Sequence, residues 1–234
     1  MADIHTKDID KRTRKRLIHL DVKKRLPTYT LGEELLSAIS HGVGAAFGVV
    51  ALILMLIKAV SLGGTMQILT AAIYGAAIII LFLNSTLYHA LAPNRAKLFF
   101  RVMDHCTIYF LIAGTYTPYA LLTLGGTLGW ALFAYEWGMT ILGVVLNAID
   151  MKRFRLFSNI SYLLMGWTVV LFIGQLMASM ASLGLILLLV GGAFYTLGFV
   201  FYVMKRYKYM HAIWHFFVLF GSISHFCSVY FFVL

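Results

Sequence analysis

Seven long apolar stretches dominate the hydropathy pattern of the chain. They lie at about residues 35–57, 67–90, 102–123, 128–149, 157–178, 183–204 and 211–233. Each is close to the ~20 residues that an α-helix needs to cross the hydrocarbon core of a bilayer. The connections between them are short and glycine-containing, at Gly63-Gly64, Gly125-Gly126 and Gly184. The pattern predicts an all-α membrane protein, a seven-transmembrane helix bundle over residues 31–234, preceded by a basic tail at residues 1–30.

Composition supports a membrane protein and argues against a nucleic-acid-binding protein. Hydrophobic residues make up 61% of the 234-residue chain and charged residues only 12%, against about a quarter charged in soluble proteins. The net charge of +10 would suit a nucleic-acid partner. However, nine of the 19 basic residues lie in the first 25, and nine more form three clusters between apolar stretches. That distribution is typical of the cytoplasmic segments of a membrane protein.

The basic clusters also predict the orientation. If the N-terminus is cytoplasmic, the tail and three loops place 18 of the 19 Lys and Arg residues on the cytoplasmic side. The loop residues are Arg95, Lys97, Arg101, Lys152, Arg153, Arg155, Lys205, Arg206 and Lys208. The exception is Lys58, which can extend from the end of the first span toward the interface. We therefore expect a cytoplasmic N-terminus and an external C-terminus.

The tail and the two cysteines add smaller constraints. Residues 1–30 lack the apolar core of a cleavable signal peptide. The basic residues 5–26, interspersed with Leu, Ile and Val, would either lie on anionic lipid or remain solvated. Cys106 and Cys227 are in apolar segments, so we expect two reduced thiols and no disulfide. The chain has no CxxC or CxxCH motif, which disfavours cysteine-zinc and c-type haem sites.

Four ionisable residues in three different spans share one depth. His89 lies six residues before Arg95, and Asp104 lies three residues after Arg101. His211 and His215 lie three and seven residues after residue 208. At a rise of about 1.5 Å per residue, all four are within roughly 10 Å of the cytoplasmic charge boundary. Because ionisable residues in spans are costly, we expect them to form one functional site.

The residue types in this group suit a zinc site. His211 and His215 are at positions i and i+4, on one helix face, and His89 can supply a third nitrogen. Three protein ligands with water in the fourth position are typical of catalytic zinc. Asp104 could act as a water-mediated ligand or general base, and Ser85, one turn before His89, could hydrogen-bond a ligand or a substrate.

Other interpretations of these residues remain open. The histidines could be packed without a metal, and Asp104 could stabilise the first turn of its helix. Ser85 could bond to its own helix backbone. Three imidazoles favour zinc, but iron or manganese can occupy such sites, and a pair of histidines could also ligate haem.

The remaining polar residues of the spans have less definite roles. His41 is a second-shell candidate, or a residue that hydrogen-bonds across helices. His225 is too far along its helix for the same metal and is expected to pack between helices. His105 should point about 100° away from Asp104. Glu136 is expected to be buried without a basic partner, and Glu34 to lie at the interface. Small residues should allow close helix packing, although Gly191 and Gly192 could equally mark a bend.

Four motifs together resemble the bacterial hemolysin III proteins, within the larger family of adiponectin and progestin receptors. They are Ser85-Thr-Leu-Tyr-His89, Arg101-Val-Met-Asp104-His105, Ala113-Gly-Thr-Tyr-Thr-Pro118 and His211-Ala-Ile-Trp-His215. The stretch Glu34 to Gly44 also resembles the first-helix signature of that family. The resemblance covers nearly the whole chain from about residue 30.

The resemblance implies a seven-helix fold with a cytoplasmic N-terminus in the bacterial inner membrane. It also implies zinc bound by His89, His211 and His215, with Asp104 linked through water and Ser85 matching the motif serine. Eukaryotic relatives resemble lipid amide hydrolases, which suggests a metal-dependent hydrolase of lipid amide or ester bonds. The alternatives are a non-catalytic homeostasis or sensor protein with a structural zinc, and a membrane-perturbing hemolysin-like protein. Membrane lipid is the expected partner. Neither nucleic acid nor an obligate protein partner is indicated.

Overall fold

The computed structural model describes residues 20–204 and 206–234, and over these ranges it contains helices and no strand. Seven helices are long and apolar enough to cross a membrane. They are α1 (Leu31–Leu62), α2 (Thr65–Ala90), α3 (Arg95–Leu124), α4 (Gly126–Asp150), α5 (Arg155–Ser179), α6 (Ser182–Val203) and α7 (Met210–Phe232). The predicted seven-helix fold is therefore confirmed.

Local sequence signals explain why several helices extend beyond their apolar cores. Thr30 caps α1, because its hydroxyl accepts from the Glu33 N–H while the Glu33 carboxylate accepts from the Thr30 N–H. The Asn94 side chain caps α3 by accepting from the Lys97 N–H. At the other end of α1, Gly63 adopts the left-handed conformation (φ 73°) and ends the helix. Polar caps thus add whole turns that hydropathy alone omits.

Two of the seven helices depart from regular α-helical geometry. After Pro118, α3 continues as a π-helical segment, Tyr119–Leu124, and the middle of α5 is a 3₁₀ segment, Thr168–Phe172. The Tyr116 hydroxyl donates to the Gly166 carbonyl and accepts from the Val169 N–H. Insertion of a side chain into the backbone ladder is a known cause of helix distortion. The span predicted at 157–178 is therefore present but is not a uniform helix.

The bundle is apolar outside and partly polar inside. On α4 the buried positions recur every three or four residues and include Glu136, Thr140 and Asn147, whereas Ile141, Val145 and Ile149 on the outer faces are exposed. A helix that buries its polar face and exposes its apolar face suits a lipid environment. The exposed apolar surface of the bundle, like the lengths of its helices, therefore indicates a multi-pass membrane protein.

Small residues determine how closely several helices approach. Gly44 and Gly48 of α1 pack against Phe82 and Ile78 of α2. Gly191 of α6 packs against the His225 ring of α7, within a continuous helix, so it serves close packing rather than a bend. Gly184, predicted in a connection, lies inside α6, where it packs against Phe232.

The chain ends and the cysteines are consistent with this arrangement. Lys58, the one basic residue predicted outside, donates from its ammonium to the Tyr230 carbonyl near the end of α7. Residues 20–25 are helical, and the Arg25 carbonyl accepts from the Arg101 guanidinium. The rest of the basic tail lies outside the described residues, so its placement on lipid or in solvent stays a prediction. Cys106 and Cys227 are both free, as expected.

Candidate metal centre

Three histidine nitrogens converge at one end of the bundle, at the level of the basic loops. The Nε2 atoms of His89 and His211 are 3.3 Å apart, and those of His211 and His215 are 3.2 Å apart. One ligand nitrogen from each residue lies within 4.8 Å of the other two. His89 comes from the last turn of α2, and His211 and His215 come from the first two turns of α7. This group could hold a metal ion.

The two measured nitrogen–nitrogen distances match those between the ligands of a tetrahedrally coordinated metal ion. Zinc–nitrogen bonds of about 2.0–2.1 Å at tetrahedral angles place two ligand nitrogens about 3.3–3.4 Å apart. The two observed distances, 3.2 and 3.3 Å, are close to that value. Imidazole ligands suit zinc, copper, iron and nickel alike, so the donor set fits a transition metal without selecting one.

Glu34 of α1 fixes the orientation of His89. Its Oε2 lies 2.7 Å from His89 Nδ1, and its Oε1 accepts from the Lys97 ammonium at 2.8 Å. A carboxylate at Nδ1 holds the proton there and leaves the lone pair on Nε2, the atom that faces His211. Histidines that bind a metal commonly donate their other ring N–H to a carboxylate in this way. Sequence reasoning placed Glu34 at the interface and missed this role.

An aromatic residue from the segment before α1, Tyr29, covers one face of the histidine cluster. The Tyr29 ring stacks on His211 with a centroid separation of 5.0 Å and an interplanar angle of 15°. Burial raises the pKa of the Tyr29 phenol above its usual value, and the Asp104 carboxylate adds in the same direction. The phenol is therefore neutral over the physiological range. Tyr29 was predicted as part of a tail, and no signal in the sequence placed it against the cluster.

The residue before α7, Tyr209, has an unfavourable backbone conformation and is held in place by a hydrogen bond to α1. Tyr209 has φ 65°, a conformation that is unfavourable for residues other than glycine, asparagine and aspartate. Its N–H donates to Glu33 Oε1 at 2.8 Å. Because Tyr209 is the residue before α7, this hydrogen bond ties the start of α7 to α1 and fixes the position of His211.

His41 lies on the other side of the cluster. Its ring stacks on His215 with centroids 3.7 Å apart, and among the described residues neither of its ring nitrogens has a hydrogen-bond partner. His41 also lines a cavity of about 980 Å³, counting the open side, whose walls are mainly apolar residues of α3, α5, α6 and α7. The predicted second-shell candidate thus contacts one of the three cluster histidines directly and faces a space beside it.

Asp104 and Ser85 lie close by but outside the histidine group. Asp104 is buried and lines the same cavity as His41. It is not among the described side chains whose ligand atoms lie within 4.8 Å of one another, an arrangement that suits contact through water rather than direct ligation. Ser85 is fully buried, and its hydroxyl has no hydrogen-bond partner among the described residues. Ser85 is therefore not bonded to its own helix backbone.

The other ionisable residues of the spans are accounted for differently. His225 lies 2.9 Å from the Leu188 carbonyl through Nε2 and packs against Tyr195, as expected for a histidine between helices. His105 is 3.0 Å from the Arg101 carbonyl, and its Nδ1 is 3.9 Å from Asp104 Oδ2. It is thus nearer to Asp104 than the helical wheel suggested. Both Glu136 oxygens are buried without a hydrogen-bond partner among the described residues.

Comparisons with known proteins identify the family of this chain. The family described as "Haemolysin-III related" matches residues 29–226. The chain is 40% identical to "Hemolysin-3 homolog" of Bacillus subtilis (strain 168) over 204 residues, 87% of this chain and 96% of the relative.

Further relatives extend the likeness. "Hemolysin-3" of Bacillus cereus is 39% identical over 207 residues, 88% of this chain and 94% of that one. The "Monocyte to macrophage differentiation factor" of Homo sapiens is 30% identical over 171 residues, 69% of each chain. The resemblance inferred from four motifs is thereby confirmed over most of the chain, and the protein belongs to the haemolysin III family of integral membrane proteins.

Proposed function

We propose that this protein is a zinc-dependent hydrolase of lipid amide or ester bonds, acting at the cytoplasmic leaflet of the bacterial inner membrane. The observation that supports it most is the convergence of three histidine side chains, with two Nε2–Nε2 distances of 3.2 and 3.3 Å, beside a mainly apolar cavity. Three protein nitrogens leave a fourth position for water, which is the pattern of catalytic zinc.

The residues around the cluster suit this chemistry. Bound zinc would supply a Lewis acid and a water of lowered pKa. Asp104 would accept the proton of that water, and Glu34 would hold His89 in the tautomer that presents Nε2. The buried Ser85 hydroxyl has no hydrogen-bond partner among the described residues. It would donate a hydrogen bond to the substrate or to the attacking water.

The shape of the interior favours a lipid substrate. The cavity beside His41 and Asp104 is lined by apolar side chains such as Leu81, Ile108 and Val218. Such walls accept an acyl chain and exclude water from the carbonyl next to the metal. The cluster lies at the end of the bundle where the polar head of a lipid meets the interface.

A structural role for the metal is the second candidate, and one observation favours it. The cluster and its carboxylate join three helices, because Glu34 belongs to α1, His89 to α2, and His211 and His215 to α7. An ion here would cross-link the bundle even without turnover. In that case the protein would be a sensor or homeostasis factor.

The metal content of the purified protein tests both candidates. We expect about one zinc ion per chain in detergent-purified wild type, and loss of the metal in His89→Ala and His215→Ala. His225→Ala is the matched control, since it removes a buried histidine of α7 outside the cluster. Elemental mass spectrometry on folded samples gives the result. A folded wild type without metal, or equal loss in the control, would refute the metal site.

An Asp104→Asn variant separates catalysis from structure. Loss of a general base should lower turnover roughly 100- to 10,000-fold, while zinc content and thermal stability stay close to wild type. The assay is release of fatty acid from a membrane lipid extract containing amide and ester lipids. If zinc-loaded wild type cleaves none of them, the structural role replaces the hydrolase.

A further inference from the structure

A second cavity opens at the same end of the bundle and shares the lining residue Tyr202 with the apolar cavity. It measures about 1090 Å³, counting the open side, and we call it the basic vestibule because three cationic side chains line it, those of Arg101, Arg206 and Lys208. His211 also lines the vestibule. A ligand in the vestibule would therefore touch the metal cluster from the polar side.

Arg101 has a buried donor that lacks an acceptor. Its Nη1 donates to the Arg25 carbonyl at 2.6 Å, which fixes the guanidinium plane. Its Nε is buried and has no hydrogen-bond partner within residues 20–204 and 206–234. A buried charged donor without an acceptor is unfavourable, and the planar guanidinium suits phosphate and carboxylate oxygens.

The acidic groups nearby do not neutralise the vestibule. Glu33 is the acidic residue among its described lining residues. Its carboxylate already accepts from the backbone N–H groups of Thr30 and Tyr209. Asp104 lines the other cavity. Three permanent cations thus face one carboxylate that is occupied in capping α1.

The two cavities share one lining residue, and each lies beside the cluster. Tyr202 lines both of them. On the vestibule side the cluster presents His211, and on the apolar side His41 stacks on His215. A molecule with an anionic head in the vestibule and an apolar chain in the other cavity would place the bond between them beside the three histidines.

We propose that the basic vestibule binds a phosphate group, of the kind that a phospholipid headgroup carries, and holds it by Arg101, Arg206 and Lys208 next to the histidine cluster. The inference that a phospholipid is the substrate rests on the proposed function. The inference that phosphate binds here rests only on the residues of the vestibule. Arg101 supplies the fixed donor, and the exposed Arg206 and Lys208 supply charge at the entrance.

Binding of two probes to full-length, metal-loaded protein in detergent tests the proposal. The probes are inorganic phosphate and dihexanoyl phosphatidylglycerol, each measured by titration calorimetry at fixed ionic strength. The double variant Arg206→Gln/Lys208→Gln should bind both about ten-fold more weakly. The double variant Lys152→Gln/Arg153→Gln, which removes the same charge from the loop between α4 and α5, should bind like wild type.

A comparison of variants shows where the phosphate binds, and a comparison of the two probes shows which molecule carries it. If His215→Ala still binds phosphate, the vestibule is supported. If His215→Ala loses phosphate binding while Arg206→Gln/Lys208→Gln keeps it, the phosphate is bound by the metal and the proposal is overturned. Equal weakening in both double variants, or no binding of either probe, also overturns it. Tighter binding of the lipid than of phosphate identifies the headgroup as the source, and equal binding identifies free phosphate.

The outcome is separable from that of the proposed function. Binding requires no turnover, so a protein that binds the phospholipid and cleaves nothing supports the vestibule and refutes the hydrolase. A zinc-loaded protein that cleaves lipids without phosphate, and binds neither probe, refutes only the vestibule.

Discussion

Glu34 shows how much of the candidate site depends on single contacts between helices. It is one residue after the capping carboxylate Glu33, and the two have different roles. Glu33 closes the first turn of α1 and holds Tyr209, whereas Glu34 pairs with His89 and Lys97. A carboxylate that fixes a ligand tautomer and is itself held by an ammonium is a rigid support for a metal.

The substitution Glu34→Gln tests this support. We expect metal affinity to fall roughly 10- to 100-fold, because the amide removes the negative charge that favours the His89 tautomer with a free Nε2. Competition with a chelator of known affinity measures the change in purified protein.

Two variants serve as controls for that substitution. Glu136→Gln makes the same substitution at a buried glutamate of α4, away from the cluster, and it should leave affinity unchanged. Lys97→Gln keeps the contact between Glu34 and His89 and should weaken affinity less than Glu34→Gln does. Unaltered affinity in Glu34→Gln would show that His89 does not need the carboxylate.

At the scale of the elements, α6 and α7 approach closely because glycines face large side chains. The pair Gly191-Gly192 contains two residues with opposite surroundings. A Cβ on Gly191 would overlap the His225 ring, whereas a Cβ on Gly192 would meet nothing within 4 Å. Across the same contact, His225 bonds to the Leu188 carbonyl and Ser224 donates to the Leu187 carbonyl.

Alanine at the two neighbouring glycines should therefore have opposite consequences. Gly191→Ala should lower the free energy of unfolding by about 1–3 kcal/mol, the usual cost of overpacking. Gly192→Ala should be neutral or slightly stabilising, since alanine is the better helix former. Thermal unfolding in one detergent, followed by circular dichroism, compares them. Equal melting temperatures would contradict the close contact with His225.

At the level of the whole molecule, the two ends of the helix bundle differ in their content of basic residues. The loops 91–94 and 151–154, and the described loop residues 204 and 206–209, lie at the end of the bundle that contains the histidine cluster. These loops and the adjoining helix ends contain nine basic residues, so the positive-inside rule predicts that the cluster faces the cytoplasm.

Accessibility to a membrane-impermeant maleimide tests this orientation. Single cysteines at Ser61 and Lys152, in a chain whose two native cysteines are replaced by alanine, lie at opposite ends of the bundle. Both positions are exposed. In intact cells or spheroplasts we expect labelling at position 61, and at position 152 only after permeabilisation. The reverse pattern would place the cluster outside.

The element order was predictable because it depends on local composition. A run of about 20 apolar residues must form its own backbone hydrogen bonds in lipid, so span number and approximate bounds follow from the sequence. The 3₁₀ segment of α5 was not predictable, because its cause is the Tyr116 hydroxyl of another helix. The extra turn at the start of α1 was readable in principle from Thr30 and Glu33, which form a capping box.

The seven spans, the gathering of basic residues in alternate loops and the candidate residues of the cluster could all be predicted from the amino-acid sequence. All of these follow from spacing along single helices. The three-dimensional structure was needed to show that Glu34 rather than Asp104 contacts His89, that Tyr29 stacks on His211, and that two cavities lie beside the cluster. Those contacts join residues far apart in the chain. They depend on how the helices rotate and pack, which periodicity along one helix does not encode.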